Sequence, residues 1–323
     1  MTRWLVTGGA GYIGAHVAEA LLESGRDVTV IDNFASGHDA FVPEGARLVR
    51  ASILDGSAVE DALSATDGVI HLAGYKYAGE SVKHPLHTYT QNVTGTVTLL
   101  ARMRDCGVEN IVFSSSAGVY GTPDVDRVTE ATPPAPESPY GESKLIGEWL
   151  LWNELRRAEL SGEVFRPVAL RYFNVIGSAT GRIRDTSPHN LVPKVLATLA
   201  EGRTPVINGS DYPTPDGTNV RDYVHVQDVA LAHVAAAARL ETGEPVERVY
   251  NLGSGTGSST REVMEAILAT AAPGTTAELG PRRPGDPASI VADGTLAARD
   301  LDWRMRRSLQ DTIRSAVDAA REQ

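Results

Sequence analysis

The chain has 323 residues, 42% of them hydrophobic, enough to bury a full core as one large α/β unit or two lobes. Its net charge of −11 disfavours nonspecific binding to nucleic acid or an anionic membrane, so any anionic ligand must meet local arginines or backbone N–H groups. A single cysteine, Cys106, excludes an intrachain disulfide framework and reads as a helical core thiol. No basic segment leads into an apolar run at the N-terminus and no stretch reaches membrane-spanning length, so the expected setting is cytoplasmic, with no membrane partner.

In chain order, short apolar runs alternate with helical patterns, the mark of βαβ units feeding a parallel sheet. The expected strands are Arg3–Thr7, Val28–Asp32, Arg47–Arg50, Val69–Ala73, Ile111–Ser115 and Val168–Phe173. Crossover helices are expected at Ala15–Glu23, Ser57–Leu63, Val93–Met103 and Ser143–Leu155. After Asn174 the rhythm changes: Gly- and Pro-rich segments at Gly209–Gly217 and Gly280–Pro287 interrupt shorter elements, and helical patterns return at Asn190–Ala200, Val226–Leu240, Thr260–Ala271 and Leu309–Arg321. The expected division is a nucleotide-binding domain over residues 1–174 and a smaller substrate lobe over 175–323, with part of 220–255 returning to the first.

Two constellations carry chemistry. Leu5 to Gly14 runs from the first strand into a helix with Gly8, Gly11 and Gly14 spaced to receive a dinucleotide pyrophosphate at the helix N-terminus. Gly8 serves the tight turn, Gly11 the approach of the phosphates, and Gly14 the close packing of helix and strand. Asp32 ends the next strand, where a carboxylate bonds ribose hydroxyls and repels a 2′-phosphate, favouring NAD over NADP. Further on, Ser138 and Pro139 open a helix that puts Tyr140 and Lys144 on one face. An ammonium beside the phenol lowers its pKa towards working pH and makes it a general base. Ser114, Ser115 and Ser116 lie at the carboxyl end of the fifth strand, the edge at which ligands bind in open α/β sheets. The eight histidines show no metal-ligand spacing, no metal is required, and His225 reads as a packing residue.

These motifs resemble the extended short-chain dehydrogenase/reductase superfamily and, within it, the UDP-galactose (UDP-glucose) 4-epimerase family. The resemblance extends through Ala73–Ser81, Arg171–Asn174, Asp211–Thr218, Val220–Val226 and Pro281–Asp286. It implies a Rossmann-type doubly wound parallel sheet with a smaller C-terminal α/β lobe. The implied cofactor is NAD, with Gly8, Gly11, Tyr12, Ile13, Gly14, Asp32, Asn33, Ile53, Leu72, Lys76, Tyr140, Lys144 and Phe173 as its expected contacts. The implied catalytic set is Ser116, Tyr140 and Lys144, and a UDP-hexose meets Ser116, Asn174, Asn190, Leu191, Arg221, Arg283, Asp286 and Ile290. The expected reaction interconverts UDP-glucose and UDP-galactose through a 4-keto sugar, in a homodimer paired through first-lobe helices.

The chain departs from the family pattern at Gly118, where a threonine is usual, at Ser52 with Asp55 displaced, and at Gln91 before Asn92. Ile290 stands where the family varies between a bulky tyrosine and a small residue, which leaves N-acetylated sugars open. Two rivals remain: an epimerase or 4,6-dehydratase for another nucleotide sugar, and a catalytically idle NAD-binding regulator on the same fold. The Ser116–Gly118 stretch offers no carboxylate for elimination, and the intact Ser116, Tyr140 and Lys144 weigh against the regulator.

Overall fold

The computed structural model describes residues 1–283 and 286–322. The first half contains β1 (Arg3–Thr7), α1 (Tyr12–Glu23), β2 (Asp27–Asp32), β3 (Arg47–Arg50), α2 (Gly56–Leu63), β4 (Gly68–His71), α3 (Ala78–Ser81), α4 (Pro85–Tyr89), α5 (Gly95–Asp105), β5 (Asn110–Ser116), α6 (Pro139–Ser161) and β6 (Arg166–Tyr172). The second half contains β7 (Asn174–Ile176), α7 (Leu191–Ala200), β8 (Val206–Asn208), β9 (Val220–Arg221), β10 (Tyr223–His225), α8 (Val226–Thr242), β11 (Val249–Leu252), β12 (Ser258–Ser259), α9 (Thr260–Ala271), β13 (Glu278–Gly280), β14 (Ser289–Ile290), α10 (Thr295–Asp300) and α11 (Leu309–Arg321).

Seven parallel strands form one sheet in the order β11-β6-β5-β4-β1-β2-β3. The order reverses between β1 and β4, which opens the crevice used by ligands in doubly wound sheets. Strand alternation explains the two layers. Trp4, Val6, Val28, Val30, Val112 and Val168 face α1 and α8, whereas Leu5, Ile31, Val69, Ile111 and Phe113 face α2, α5 and α6. With both faces covered, these strands read as continuous apolar runs. Small residues let α1 and α8 approach closely: Ala18 and Ala20 on one helix, Ala230, Ala236 and Ala237 on the other, are all buried. A separate core of Ile176, Val192, Ile207, Val263, Ile267 and Ile313 holds α7, α9 and α11 together.

The six expected first-half strands all form, within two residues at each end. The helices also form, but the stretch from Val93 is longer and less regular than expected: a π turn at Thr90–Thr94 precedes α5. Cys106 is corrected. It is exposed at the C-cap of α5, because the helix stops at Asp105 and Gly107 turns the chain with φ of 69°, leaving Met103 as the last core residue of that face. The packing role of His225 is also too bland. Its Nδ1 accepts the Gln227 N–H at 3.0 Å and so caps α8.

A buried ion pair ties α6 to the sheet. Glu148 and Arg171 are 1% and 5% exposed. Arg171 donates Nε to Glu148 Oε1 at 2.8 Å and Nη2 to Oε2 at 2.5 Å, and Ser115 Oγ donates to the same carboxylate at 2.5 Å. Burial opposes the Arg171 charge, but Glu148 outweighs it and raises the guanidinium pKa. Removing one partner of such a pair costs about 3–5 kcal/mol. Glu148→Ala is therefore expected to lower the free energy of unfolding by that amount, and a urea titration showing less than about 1 kcal/mol would contradict the pair's role.

Four buried histidines set an acid limit. Burial pushes His71 and His225 down to about 3, and His16 and His233 down to about 4. Their unfolded value is about 6.5, so below that pH the unfolded chain binds protons that the native state refuses, and stability falls as pH drops. Each can withdraw up to about 1.4 kcal/mol per pH unit. Glu130 and Asp222, raised by burial, act in the opposite sense but are fewer. The urea midpoint should fall steeply between pH 7 and pH 5; an unchanged midpoint would show that these imidazoles titrate normally.

Candidate active site

The glycine loop follows from steric necessity. Gly8 adopts φ of 71°, and its carbonyl accepts the Gly11 N–H at 3.1 Å. A Cβ on Gly14 would lie 2.2 Å from the Gly8 carbonyl oxygen, so its close contact is with the loop rather than with the strand as expected. Gly9, which the glycine spacing did not single out, is needed too: a Cβ there would meet Val30 at 2.8 Å. The helix behind the loop has no side-chain cap and no acidic residue in its first turn, leaving backbone donors for an anion.

Asp32 closes the other side of the cradle. Its Oδ2 accepts the Ala10 N–H at 3.0 Å and its Oδ1 the Phe34 N–H at 2.7 Å, so it holds the loop and the turn together. Asp32 also serves a turn, because Phe34 sits at φ of 59°. Asn33 is exposed and accepts the Ala35 N–H at 3.0 Å. Tyr12 is buried with its hydroxyl donating to Gly177 O at 2.5 Å, and Ile13 packs between two cores. The Ile53 side chain is itself in the core, where it meets Gly95, and Leu72 packs against the core on the other face of the sheet. Asp55 caps α2 through Ser57 and Ala58, while Ser52 Oγ accepts the Leu54 N–H.

Lys76 lies in the loop after β4. Burial lowers its pKa, and the carboxylates of Asp185 and Asp32 favour the charged form. Asp185 was not anticipated, since its place opposite Lys76 is set by a loop more than 100 residues away. The same carboxylate accepts the Asn190 Nδ2 at 2.6 Å and the Ser187 N–H at 3.0 Å. This donor set fits a dinucleotide: glycines without Cβ at the turn, open helix donors, an acid at the end of β2, and a half-buried cation.

The strand β5 and helix α6 bring the predicted catalytic side chains together. Ser116 ends β5, where its Oγ accepts the Gly118 N–H at 3.1 Å. Ser138 caps α6 through the Gly141 N–H at 3.2 Å, with Pro139 in the first turn, as expected. The nearby Ser116 hydroxyl favours the phenolate of Tyr140, but the phenol's pKa lies above its ordinary value because burial outweighs that effect. The expected net lowering of the phenol is corrected, because burial is the larger effect. The ammonium stands 5.9 Å from the Tyr140 ring centroid, yet it donates to Ser114 O at 2.9 Å, and its burial lowers it to about 8. A Cβ on Gly118 would sit 3.4 Å from Ser116 Oγ and 3.7 Å from the Tyr140 ring, so this departure leaves room that ordinary packing does not require. Phe173 is buried against Ala117, Val119, Tyr120 and Leu145.

The second half supplies the other wall. Asn174 is exposed on β7, with its N–H donated to Asp222 O at 2.9 Å. Asn190 precedes α7 and Leu191 begins it. Arg221 is 9% exposed, so it is not a solvated surface group. Its Nη1 donates to Val220 O at 2.8 Å and its Nη2 lies 3.3 Å from Asp286 Oδ1. Ile290 pairs with Arg221 across β14 and β9 and is half-buried beside Phe173 and Ala292. Arg283 is exposed, and Pro284 and Gly285 of its motif lie outside the described residues.

A model of the NAD dependent epimerase/dehydratase family matches residues 4–253. A UDP-glucose 4-epimerase of Corynebacterium glutamicum is 42% identical over 306 residues, covering 93% of this chain and 90% of that protein. One from Bacillus subtilis is 40% identical over 322 residues, covering 95% and 93%. Among solved structures, a UDP-glucose 4-epimerase from Stenotrophomonas maltophila with bound NAD and formylated UDP-arabinopyranose superposes with a TM-score of 0.91 at 36% identity, over 99% of this chain and 98% of that one. Another, from Brucella ovis in complex with NAD, gives 0.91 at 36% identity over 98% of each chain. The glycine cradle, the Ser116–Tyr140–Lys144 cluster and these matches agree: the chain belongs to the NAD dependent epimerase/dehydratase family.

Proposed function

We propose that this chain is an NAD-dependent UDP-glucose 4-epimerase in which Tyr140 exchanges a proton with the sugar 4-hydroxyl. The observation that carries the reading is the convergence of Ser116, Tyr140 and Lys144 at the sheet edge beside the crevice opened between β1 and β4. When bound, NAD supplies the acceptor and donor of the C4 hydride, and its positive ring adds a field that favours phenolate. Ser116 orients the 4-oxygen, and Tyr140 takes its proton as the 4-keto sugar forms and returns it afterwards. The structure's burial of the phenol disfavours free ionisation, so the proton moves only when a cation is adjacent. Lys144 supports that charge from beneath the ring.

Residues 1–174 serve the cofactor and residues 175–323 the UDP-sugar, with β11 returning to complete the first sheet. Gly8, Gly11, Tyr12, Ile13, Gly14, Asp32, Asn33, Ile53, Leu72, Lys76 and Phe173 line the cofactor side. Arg221 and Arg283 answer the pyrophosphate charge in an acidic chain, with Asn174, Asn190, Leu191, Asp286 and Ile290 around the nucleotide and sugar. Holding the keto-sugar away from water is the purpose of this second wall. A homodimer is supported by the exposed apolar side chains of Leu86, Val97 and Trp149 on α4, α5 and α6. No helix among the described residues is long and apolar enough to cross a membrane, which is compatible with a cytoplasmic setting.

Incubation of the purified protein with UDP-galactose should yield UDP-glucose, and bound NAD without any product would instead indicate a regulator. Tyr140→Phe should lower turnover by at least about 10²-fold while retaining NAD, the size expected for removing a general base. Full activity in that variant would remove the mechanism. Lys144→Met removes a positive charge near the phenol and should shift the rising limb of the kcat profile to higher pH; an unmoved limb would show that Lys144 does not support the phenolate.

A further inference from the structure

The first turn of a helix leaves backbone N–H groups with no carbonyl one turn back to accept them. In α6 these groups are accounted for one by one. Pro139 has no N–H to place, the Gly141 N–H goes to Ser138 Oγ at 3.2 Å, and the ordinary bonding to a carbonyl four residues back begins with Glu142, whose N–H goes to Ser138 O at 2.9 Å. The remaining donor is the N–H of Tyr140 itself. It is met from outside the helix, by Ser81 Oγ at 3.1 Å.

Ser81 is suited to that task. It is 0% exposed, so its hydroxyl exchanges no bonds with solvent. Its own proton is directed to Ala78 O at 2.6 Å, which leaves an oxygen lone pair for Tyr140. The next backbone group is held as well: Ser143 Oγ donates to Tyr140 O at 2.7 Å, and Asn92 Nδ2 donates to Ser143 Oγ at 2.8 Å. The Tyr140 residue is thus fixed at both ends of its main chain by side chains, its N–H by Ser81 from outside α6 and its carbonyl by Ser143 three residues on within it. A helix terminus without such contacts frays, and here any rotation of the first turn is carried to the phenol. Ser81 also ends the short helix that follows Lys76, so it joins the segment bearing that cation to the segment bearing the phenol.

We propose that Ser81 is a positioning residue for the epimerisation chemistry, holding the Tyr140 backbone so that the phenol keeps its place relative to Ser116 and the sugar. The proposal rests on the assignment of Tyr140 as the base. Positional errors of about 1 Å at a reacting group cost on the order of 10²-fold in rate, so a lost anchor appears in kcat rather than in sugar binding.

The test compares Ser81→Ala with Ser308→Ala, which removes an N-cap of α11 that accepts the Asp311 N–H at 3.1 Å on a helix packed in the second core. Each variant loses the acceptor of one helix-terminal N–H and one bond that the hydroxyl donates, to Ala78 O from Ser81 and to Asp311 Oδ2 from Ser308. For Ser81→Ala the expected result is a tenfold or greater fall in kcat with KM for UDP-galactose within twofold, and faster amide exchange at Tyr140. For Ser308→Ala it is unchanged kcat. Equal kcat values in the two variants, or undiminished protection of the Tyr140 amide in Ser81→Ala, would overturn the proposal. Should Ser81→Ala not fold, Ser81→Cys carries the same comparison, with a weak sulfur acceptor giving an intermediate kcat; wild-type kcat there would overturn it. An inactive wild-type protein would refute the epimerase reading instead, and amide exchange would still decide whether Ser81 holds Tyr140.

Discussion

The buried pair between Arg171 and Glu148 is the constraint from which the site's geometry descends. It spans β6 and α6, takes in Ser115 from β5, and continues through the Tyr120 hydroxyl, which accepts from Arg171 Nη1 at 2.9 Å and donates to Asn251 on β11 at 2.7 Å. Four elements therefore meet on one charge system with its hydrogen-bonding groups satisfied. Such a pair need not add net stability, because desolvating both ions offsets their attraction. What it adds is a single permitted register of α6 on the sheet: sliding the helix by one turn would bury an unpaired carboxylate. The many exposed pairs, such as Lys83 with Glu80, carry no comparable demand.

Once α6 is fixed, the chemistry is decided by burial against charge. Tyr140 is raised and Lys144 lowered by the same loss of solvent, so each is drawn towards its neutral form. A phenol and an amine that both favour neutrality make a poor resting base but a responsive one, since a nearby positive charge acts on them through little water. Ionisation is thereby coupled to the arrival of charge instead of to bulk pH. The same logic explains why the ammonium rests on the Ser114 carbonyl: a buried cation needs an acceptor, and a strand-end carbonyl is the nearest group that does not quench it.

Much of this was legible in the sequence where the physics is local. Strands covered on both faces announce themselves as apolar runs, and Ser138-Pro139 marks a helix start whatever packs around it. Gly8 was readable from its turn, but Gly9 was not, because its need comes from Val30 on a neighbouring strand. Strands β9, β12 and β14 have two residues each, too short for any periodicity. Asp185, Ser81 and the acceptor of Lys144 owe their roles to contacts made across 30 to more than 100 positions. Cys106 was misread as a helical core thiol, because the turn at Gly107 ends the helix at Asp105 and leaves the thiol exposed.

In the proposed reading the second wall lets an acidic chain accommodate an anionic ligand through a few oriented arginines. Arg221 lies on β9, the middle strand of a three-stranded sheet, and is oriented by a carbonyl and by Asp286. A guanidinium has five donors, and these two contacts leave others for oxygen ligands in its plane. Ile290 pairs with Arg221 in register on β14. In the proposed reading the residue that limits space around the sugar and the residue that holds the pyrophosphate are therefore neighbours across one ladder. Enlarging the side chain at 290 cannot act on sugar size alone, because displacing β14 also displaces the strand that carries the arginine. On that reading substrate range and nucleotide affinity are tied by the ladder, and change at position 290 is felt in both.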